Sequence, residues 1–488
     1  MAEPGGAGSP VGSEQRAFRH ARAAPKSITT TPTLAPPDNI HASPAGSSEA
    51  QHSTPGTTTP GPVPGSHWLA MFAPEPLVVK MLDDWFSMIH SLAPTLVRRR
   101  FMRRLRGGVA DVDAVFCGLV VSICAATKAT LPRRDYGLVT VDYCAEFLDT
   151  HDLLRCRFGQ GSFTLDWCIA MYNMGTAMGA TTATGLSNMR AYHALSEAAA
   201  GARYLAYYRA HDHDEIGQQI LRRLIWLLFA AARYVPRDSA VSMLWLIKVA
   251  TCRSADMFGR LSTTLLDQDR IESFPRPLPL SDNQLAPPAV DDSGEPWHGD
   301  DTTYIPGLNS LSDLFLIWQQ AQHTPRDSDA QTNITNYLAK IQSVLDSLPP
   351  ELRWRGGLSR PSHVTQGHDV QIANLFVTSL AVRSNILQKF GPTDTTCQEH
   401  QKIIDDLLEI LYHLPRAVFD ANGSSLVPKI RDVGAAYLEQ SQLGNGVSAE
   451  IVGDARDKLE RLLRKLDDLD CWQGLGILDS PPLRVEAR

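Results

Sequence analysis

The stretch QQILRRLIWLLFAAAR, residues 218–233, decides the fold class, because its apolar side chains cover nearly the whole circumference of a helix. The apolar positions are Ile220, Leu221, Leu224, Ile225, Trp226, Leu227, Leu228 and Phe229. A helix that is apolar on every side packs inside a protein body and not on its surface. Arg222 and Arg223 stand near its start, where they either reach solvent or pair with a carboxylate on a neighbouring helix. The stretch therefore predicts a central helix that is surrounded by other helices.

Helical periodicity recurs along most of the chain. In residues 74–92 the apolar side chains repeat every three or four positions, which is the spacing of one helix face. Residues 111–131 repeat this pattern, with Asp111 as the expected N-cap and Val112 on the inward face. No segment combines the alternating pattern of a strand with tight-turn residues. The sequence predicts an all-α protein.

Composition divides the chain into three parts. Residues 1–65 consist mainly of Pro, Gly, Ser, Thr and Ala, a composition that predicts a disordered tail. Residues 66–440 predict one large helical domain, interrupted by the proline-rich, acidic segment 274–307, which is long enough to be functional or disordered. Residues 441–488 predict an amphipathic helix and a tail. The leucine stripe of that helix favours docking onto the body over pairing with a second copy.

Charge and cysteine content exclude several classes of protein. The formal net charge of −7 argues against a surface that coats nucleic acid. The eight cysteines form no C-x-x-C pair, so neither a zinc site of that type nor a disulfide framework is expected, and a reducing, intracellular compartment is favoured. The apolar runs VFCGLVVSICAA (residues 115–126) and LIWLLFAAA (residues 224–232) are shorter than the roughly 20 residues that a membrane span needs. No cofactor, metal or membrane partner is predicted.

One strongly basic patch occupies residues 98–106. It contains Arg98, Arg99, Arg100, Arg103, Arg104 and Arg106. Such a cluster is typical of a nuclear-import signal or of a surface that contacts phosphate. The alternative, which we favour, is an amphipathic helix in which Phe101, Met102 and Leu105 face the core while arginine stems cover its edge. The two interpretations are compatible.

Two acidic motifs have residue types that can bind a metal ion. Asp405 and Asp406, with Glu409 one helical turn on, resemble the metal-binding motif of class I terpene cyclases, which are also all-α. An ordinary solvated helix face is the favoured interpretation, since the neighbouring Ile and Leu residues already define a buried side. The His-x-His spacing in residues 211–215 is similarly ascribed to capping of the next helix by Asp214 or Glu215. We predict no catalytic residue.

Read in order, these segments resemble the regulatory region of fungal-specific transcription factors, known as the middle homology region. The resemblance rests on LVVSICAATKATL (residues 119–131), on the segment around Arg222, Arg223 and Trp226, and on YIPGLNSLSDLFLIW (residues 304–318). It covers residues 66–440 and is nearest to the amylolytic and maltose-utilisation activators. It implies a nuclear regulator whose helical domain is inhibitory, effector-responsive or dimerising.

The sequence departs from that family at its start. Family members usually begin with a six-cysteine zinc cluster that binds DNA, whereas no cysteine precedes Cys117 here. We therefore expect a regulator of a metabolic gene set, either a secondary-metabolite cluster or carbohydrate use. It would act with the transcription machinery or with a DNA-binding relative, as a homodimer or heterodimer. The alternatives are a terpene-cyclase-like enzyme that uses Asp405, Asp406 and Glu409, and a helical scaffold outside the nucleus.

Overall fold

The computed structural model describes nine stretches of the chain. They are residues 67–154, 163–181, 189–233, 271–286, 302–325, 329–356, 360–393, 395–443 and 449–469. Within them the regular structure is helical and no strand occurs, which confirms the predicted all-α class. The predicted N-terminal tail lies outside the described residues, as does the middle of the proline-rich segment, residues 287–301.

Eight α-helices form the first half of the body. They are α1 (Trp68–Phe72), α2 (Glu75–Asp84), α3 (Arg98–Arg106), α4 (Ala114–Thr130), α5 (Val141–Thr150), α6 (Leu165–Thr181), α7 (Met189–Tyr208) and α8 (Glu215–Arg233). A π-helical turn, Trp85–Ile89, continues α2, and short 3₁₀ turns cover Val109–Asp111 and Ala210–Asp212.

A short helix and a second group of seven follow. They are α9 (Asp282–Leu285), then α10 (Ile305–His323), α11 (Ala330–Asp346), α12 (Gln366–Phe390), α13 (Thr396–His413), α14 (Arg416–Asn422), α15 (Val427–Leu443) and α16 (Ala449–Leu469). We refer to α10–α16 as the second half. Two 3₁₀ turns, Pro350–Leu352 and Gly423–Ser425, lie in the second half.

The first half is a stack in which α4 packs against α2, α5 and α6, and α6 packs against α7. The α6–α7 contact is close because glycines lie at it. A Cβ atom added at Gly175 would lie 2.6 Å from Leu195 Cγ, and one at Gly201 would lie 2.7 Å from Cys168 Sγ. Larger residues at these two positions would push the helices apart, so the glycines allow α6 and α7 to pack closely.

Helix α8 joins the two halves. It contacts α6 and α7 on one side and α10 on the other. Trp226 and Arg223 are each 1% exposed, and every residue from Arg223 to Ala230 is buried, whereas Arg222 is half-buried. The helix that the sequence places at the centre therefore lies in the interior, between two groups of helices.

The second half is organised around α12, which contacts α10, α11, α13, α14 and α15. Its length and apolar composition would suffice to cross a membrane, but 83% of the residues in its most apolar window are buried inside the body. That burial is the pattern of a core helix. The sequence predicts a helix here but does not mark it as central, because its apolar residues are less densely spaced than those of α8.

The start of α4 differs from expectation. Asp113, and not Asp111, is the N-cap: its carboxylate accepts a hydrogen bond from Phe116 N at 3.0 Å. Asp111 instead ends the preceding 3₁₀ turn, and Val112 is 76% exposed instead of facing the core. Helix α4 therefore begins at Ala114, two residues later than the periodicity predicts.

The C-terminal helix α16 docks onto the body, where it packs against α13, α14 and α15. Its Leu462, Leu466 and Leu469 are buried, whereas Leu463 is 47% exposed. Lys458 fixes the helix further through its Nζ, which lies 2.6 Å from Asp405 Oδ1 on α13. Most of the leucine stripe therefore packs against other helices of the same chain, as the sequence favours.

Candidate functional site

The guanidinium of Arg223 is buried among backbone carbonyl groups and faces neither solvent nor a neighbouring long helix. It donates to Pro94 O at 3.2 Å and to Leu280 O at 3.4 Å. The nearest carboxylate, Asp282 Oδ1, lies 3.9 Å away at the start of the short helix α9. Burial lowers the pKa of Arg223 to about 10, and the nearby Asp282 opposes that shift. The sequence predicts that Arg223 reaches solvent or pairs with a carboxylate on a neighbouring helix. The carboxylate near it is Asp282, which belongs to the one-turn helix α9.

The start of the proline-rich segment covers one side of α8. We call residues 274–282 the strap. Trp226 Nε1 donates to Pro275 O at 3.2 Å, and Leu278 N donates to Gln219 Oε1 at 2.9 Å. These bonds satisfy polar groups that burial would otherwise leave without partners. The sequence predicts that only helices surround α8. The structure differs, because the extended strap covers one face of α8.

A cavity of about 250 Å³ lies between the two halves of the body. Its apolar wall includes Trp85, Ile89, Ala126, Leu227, Ala230 and Phe315. Two of these residues, Leu227 and Ala230, belong to α8, so the helix that carries the strap also forms part of the cavity wall. The volume exceeds the roughly 150 Å³ of a cavity that binds benzene. The space is therefore suited to a compact apolar molecule.

Lys429 of α15 is the one charged residue on the described part of the cavity wall. The side chain is only 5% exposed. Its Nζ donates to Thr378 Oγ1 at 2.7 Å and to Asn374 Oδ1 at 3.4 Å, both on α12, and lies 5.7 Å from the ring centroid of Phe315. Burial lowers the pKa of Lys429 to about 7, because the charged form loses its hydration in this apolar setting.

A second polar group on the wall is Asn422, the last residue of α14. Its Nδ2 donates to Val370 O at 3.0 Å and to Val418 O at 2.9 Å, which fixes the orientation of the amide. The other amide atom, Oδ1, is buried and has no hydrogen-bond partner among the described residues. A buried acceptor without a donor costs about 1–3 kcal/mol.

Tyr172 completes the titratable groups on the described part of the cavity wall. Burial raises the pKa of Tyr172 to about 12, so the phenol is neutral near pH 7. Sequence reasoning missed Tyr172, Asn422 and Lys429, because each is an ordinary polar residue within a helical segment. The polar composition of the wall follows from tertiary packing between residues that are far apart in the chain.

The basic patch forms the helix α3, in which Phe101 and Met102 are buried and Leu105 is half-buried. Several of its arginines are bound within the body. Arg98 pairs with Asp83, Arg100 with Asp214 and Arg104 with Asp166, and the Arg104 guanidinium lies 4.0 Å over the Phe116 ring. Arg99 is half-buried. This leaves two exposed arginines, Arg103 and Arg106, which make no ion pair with the described residues.

Each carboxylate of the Asp405 motif has a protein partner. Asp405 pairs with Lys458 at 2.6 Å, Asp406 lies 3.6 Å from Arg383 NH1, and Glu409 accepts from Trp354 Nε1 at 3.0 Å. The partners come from three different elements, so the three groups serve helix packing. Within the described residues no group of three or more His, Cys, Asp and Glu side chains could hold a metal ion.

The segment 211–215 caps α8. Asp214 Oδ1 accepts from Gly217 N at 2.7 Å, and its other oxygen lies 2.9 Å from Arg100 NH1. Burial opposes the ionised carboxylate, but these two donors outweigh it and lower the pKa of Asp214. Asp214 therefore caps α8, as the sequence predicts for Asp214 or Glu215. The same carboxylate connects α8 to Arg100 of α3.

Comparison of the chain with protein-family models, with curated proteins and with solved structures gave no match in any of the three.

Proposed function

We propose that this protein is a nuclear transcriptional regulator of a metabolic gene set, whose helical body responds to a small effector bound in the cavity. The gene set would serve a secondary-metabolite cluster or carbohydrate use. The proposal draws on the sequence resemblance of residues 66–440 to the regulatory region of fungal transcription factors. Contact with DNA would come through a DNA-binding relative or through the transcription machinery.

The observation that supports an effector site is the cavity beside α8. Its wall is largely apolar with a few polar groups, which is the usual composition of a small-molecule site, and its volume exceeds that of a cavity that binds benzene. Leu227 and Ala230 form part of its wall, while Trp226 on the same helix binds the strap. A ligand that displaces α8 would therefore also displace the strap, and would alter the surface that a partner meets.

Transcript profiling in the source organism tests the proposal. Deletion of the gene should change the expression of one metabolic gene set, and the wild-type gene should restore it. Ala230→Leu, which fills part of the cavity, should restore expression without its dependence on growth conditions. Ala339→Leu, an equal change at an exposed position of α11, should behave as wild type.

Two results would overturn the proposal. Deletion without any change in transcript levels would exclude a regulatory role. Persistent exclusion of a fluorescently tagged full-length protein from the nucleus would favour a scaffold elsewhere in the cell.

A further inference from the structure

Several polar side chains on the cavity wall donate their hydrogen bonds to the protein itself. Thr176 Oγ1 lies 3.0 Å from the carbonyl oxygens of both Tyr172 and Asn173. Ser425 Oγ donates to Asn422 O at 2.8 Å, and the Asn422 amide donates to two backbone carbonyl groups. A ligand gains little from groups that are bonded in this way, because it would have to replace hydrogen bonds that already exist.

The charged residue on the described wall is also engaged. Lys429 Nζ donates to Thr378 Oγ1 and Asn374 Oδ1, both on α12. Burial lowers the pKa of Lys429 to about 7, and the neutral amine that predominates above this pH has two N–H groups, which these two bonds use. The phenol of Tyr172 adds no charge near neutral pH, because burial raises its pKa to about 12. An ion that entered the cavity would lose its hydration, and it would bind Lys429 only by breaking these internal bonds.

Most of the remaining described wall is hydrocarbon. The rings of Trp85 and Phe315 lie on it together with small side chains such as Ala126, Ala177 and Ala230. A cavity of roughly 150 Å³ holds benzene. In proportion, a volume of about 250 Å³ suits a molecule of about ten non-hydrogen atoms.

We infer that the cavity binds an uncharged, largely hydrocarbon molecule of about this size and discriminates against charged molecules of the same shape. The inference rests on the proposed function, since this molecule would be the effector. Burial of apolar surface drives its binding and requires no ionic partner. The discrimination comes from desolvation, because an apolar wall does not replace the hydration of a carboxylate or an amidinium group.

Equilibrium dialysis of the full-length protein at pH 8 tests the inference with four probes of nearly the same size and shape. Two are uncharged, namely the hydrocarbon 4-isopropenyltoluene and the ketone 4-methylacetophenone. Two are charged, namely the anion 4-methylbenzoate and the cation 4-methylbenzamidinium. All four share a methylphenyl body, so the charge of the end group is the main difference between them. We expect both uncharged probes to bind at least about tenfold more tightly than either ion.

Ala230→Leu tests whether the probes bind in this cavity. The larger side chain fills part of the space, so the variant should lose roughly tenfold or more in affinity for both uncharged probes. Ala339→Leu, the same change at an exposed position of α11, should bind them as the wild type does. The comparison of uncharged with charged probes uses wild-type protein, so it decides the question even where Ala230→Leu does not fold.

Binding of either ion as tightly as the ketone would overturn the inference, because it would show that the wall compensates for the lost hydration of a charge. Failure of both uncharged probes to bind would also overturn it, as would unchanged affinity in a folded Ala230→Leu variant. None of these results bears on the transcript profiles, which test the regulatory role separately.

Discussion

The guanidinium group of Arg276 lies over the indole ring of Trp226, with its central carbon 3.6 Å from the ring centroid. Arg276 belongs to the strap and Trp226 to α8. The same guanidinium pairs with Asp313 on α10, so one side chain joins three elements. Since the strap and the cavity wall share α8, this contact links the surface of the protein to its interior.

Replacement of Arg276 by methionine should loosen the strap. The change removes a partly desolvated cation–π contact and an ion pair, and we expect a loss of about 1–2 kcal/mol in the free energy of unfolding. Denaturant unfolding followed by tryptophan fluorescence measures it. Arg190→Met, which breaks an exposed pair with Asp149, is the matched control and should cost less than about 1 kcal/mol. Equal losses in the two variants would contradict the role given to the strap.

Lys429 should make stability rise with pH above neutrality. Its pKa is about 7 in the folded protein and 10.5 without burial, so between these values the unfolded chain binds a proton that the folded chain lacks. The free energy of unfolding then increases by up to about 1.4 kcal/mol per pH unit. Denaturant curves at pH 7, 8 and 9 should show this slope in wild type and its loss in Lys429→Met. Parallel pH dependence in both proteins would show that the amine is not desolvated.

His400 should make the protein sensitive to acid. Its ring is 1% exposed, and neither nitrogen has a hydrogen-bond partner among the described residues. Burial lowers the pKa of His400 to about 4, although the neighbouring Glu399 opposes that shift. Between pH 6.5 and pH 4 the unfolded chain binds a proton at this ring that the folded chain lacks. The free energy of unfolding therefore falls by roughly 3 kcal/mol as the pH drops from 6.5 toward 4.

The comparison with His400→Phe isolates this effect. The variant keeps an aromatic ring in the same site and cannot be protonated there. Thermal unfolding between pH 7 and pH 4 should show a smaller decline for the variant than for wild type. An equal decline would place the acid sensitivity in other groups.

Arg103 and Arg106 should be the residues of α3 that importins meet, if the basic patch directs the protein to the nucleus. Both are exposed, whereas Arg98, Arg100 and Arg104 are held in ion pairs. The double variant with glutamine should lower the nuclear fraction of a fluorescently tagged protein. Glutamine at Arg461 and Arg464 on α16 removes the same charge elsewhere and should leave the distribution unchanged. Identical distributions for both double variants would assign import to another segment.

The carboxylates of α13 should contribute to packing and not to turnover. Asp405→Asn removes one of the two carboxylate partners of Lys458 and should cost up to about 1 kcal/mol of stability, because Asp405 is half exposed and Asp454 still lies 3.1 Å from Lys458 Nζ. Transcript levels of the regulated genes should not change when Asp405, Asp406 and Glu409 are all neutralised. A magnesium-dependent activity that is present in wild type and lost in the triple variant would instead favour the enzyme hypothesis.

The helical class and the burial of α8 follow from periodicity, because a segment apolar on all sides has only one stable environment in water. Capping by Asp214 follows equally from local chemistry. The error at Asp111 shows the limit of that approach: Asp111 and Asp113 are both suitable caps, and the preceding 3₁₀ turn selects between them.

The cavity could not have been predicted in the same way. Lys429 is buried because α12, far away in sequence, covers it, and nothing in the segment VPKIRDVG distinguishes it from a lysine in solvent. The strap is similar. Its prolines mark an irregular segment, but only the positions of Trp226 and Gln219 show which face that segment covers.

The cavity is bounded by both halves of the body: Trp85 and Tyr172 come from the first half, and Phe315, Asn374 and Lys429 from the second. Neither group of helices encloses the space alone. A fragment carrying one group would expose an apolar wall and a lysine meant for the interior, so the two groups are expected to depend on each other for solubility. Reassembly of separately produced halves would then itself report that the chamber has closed.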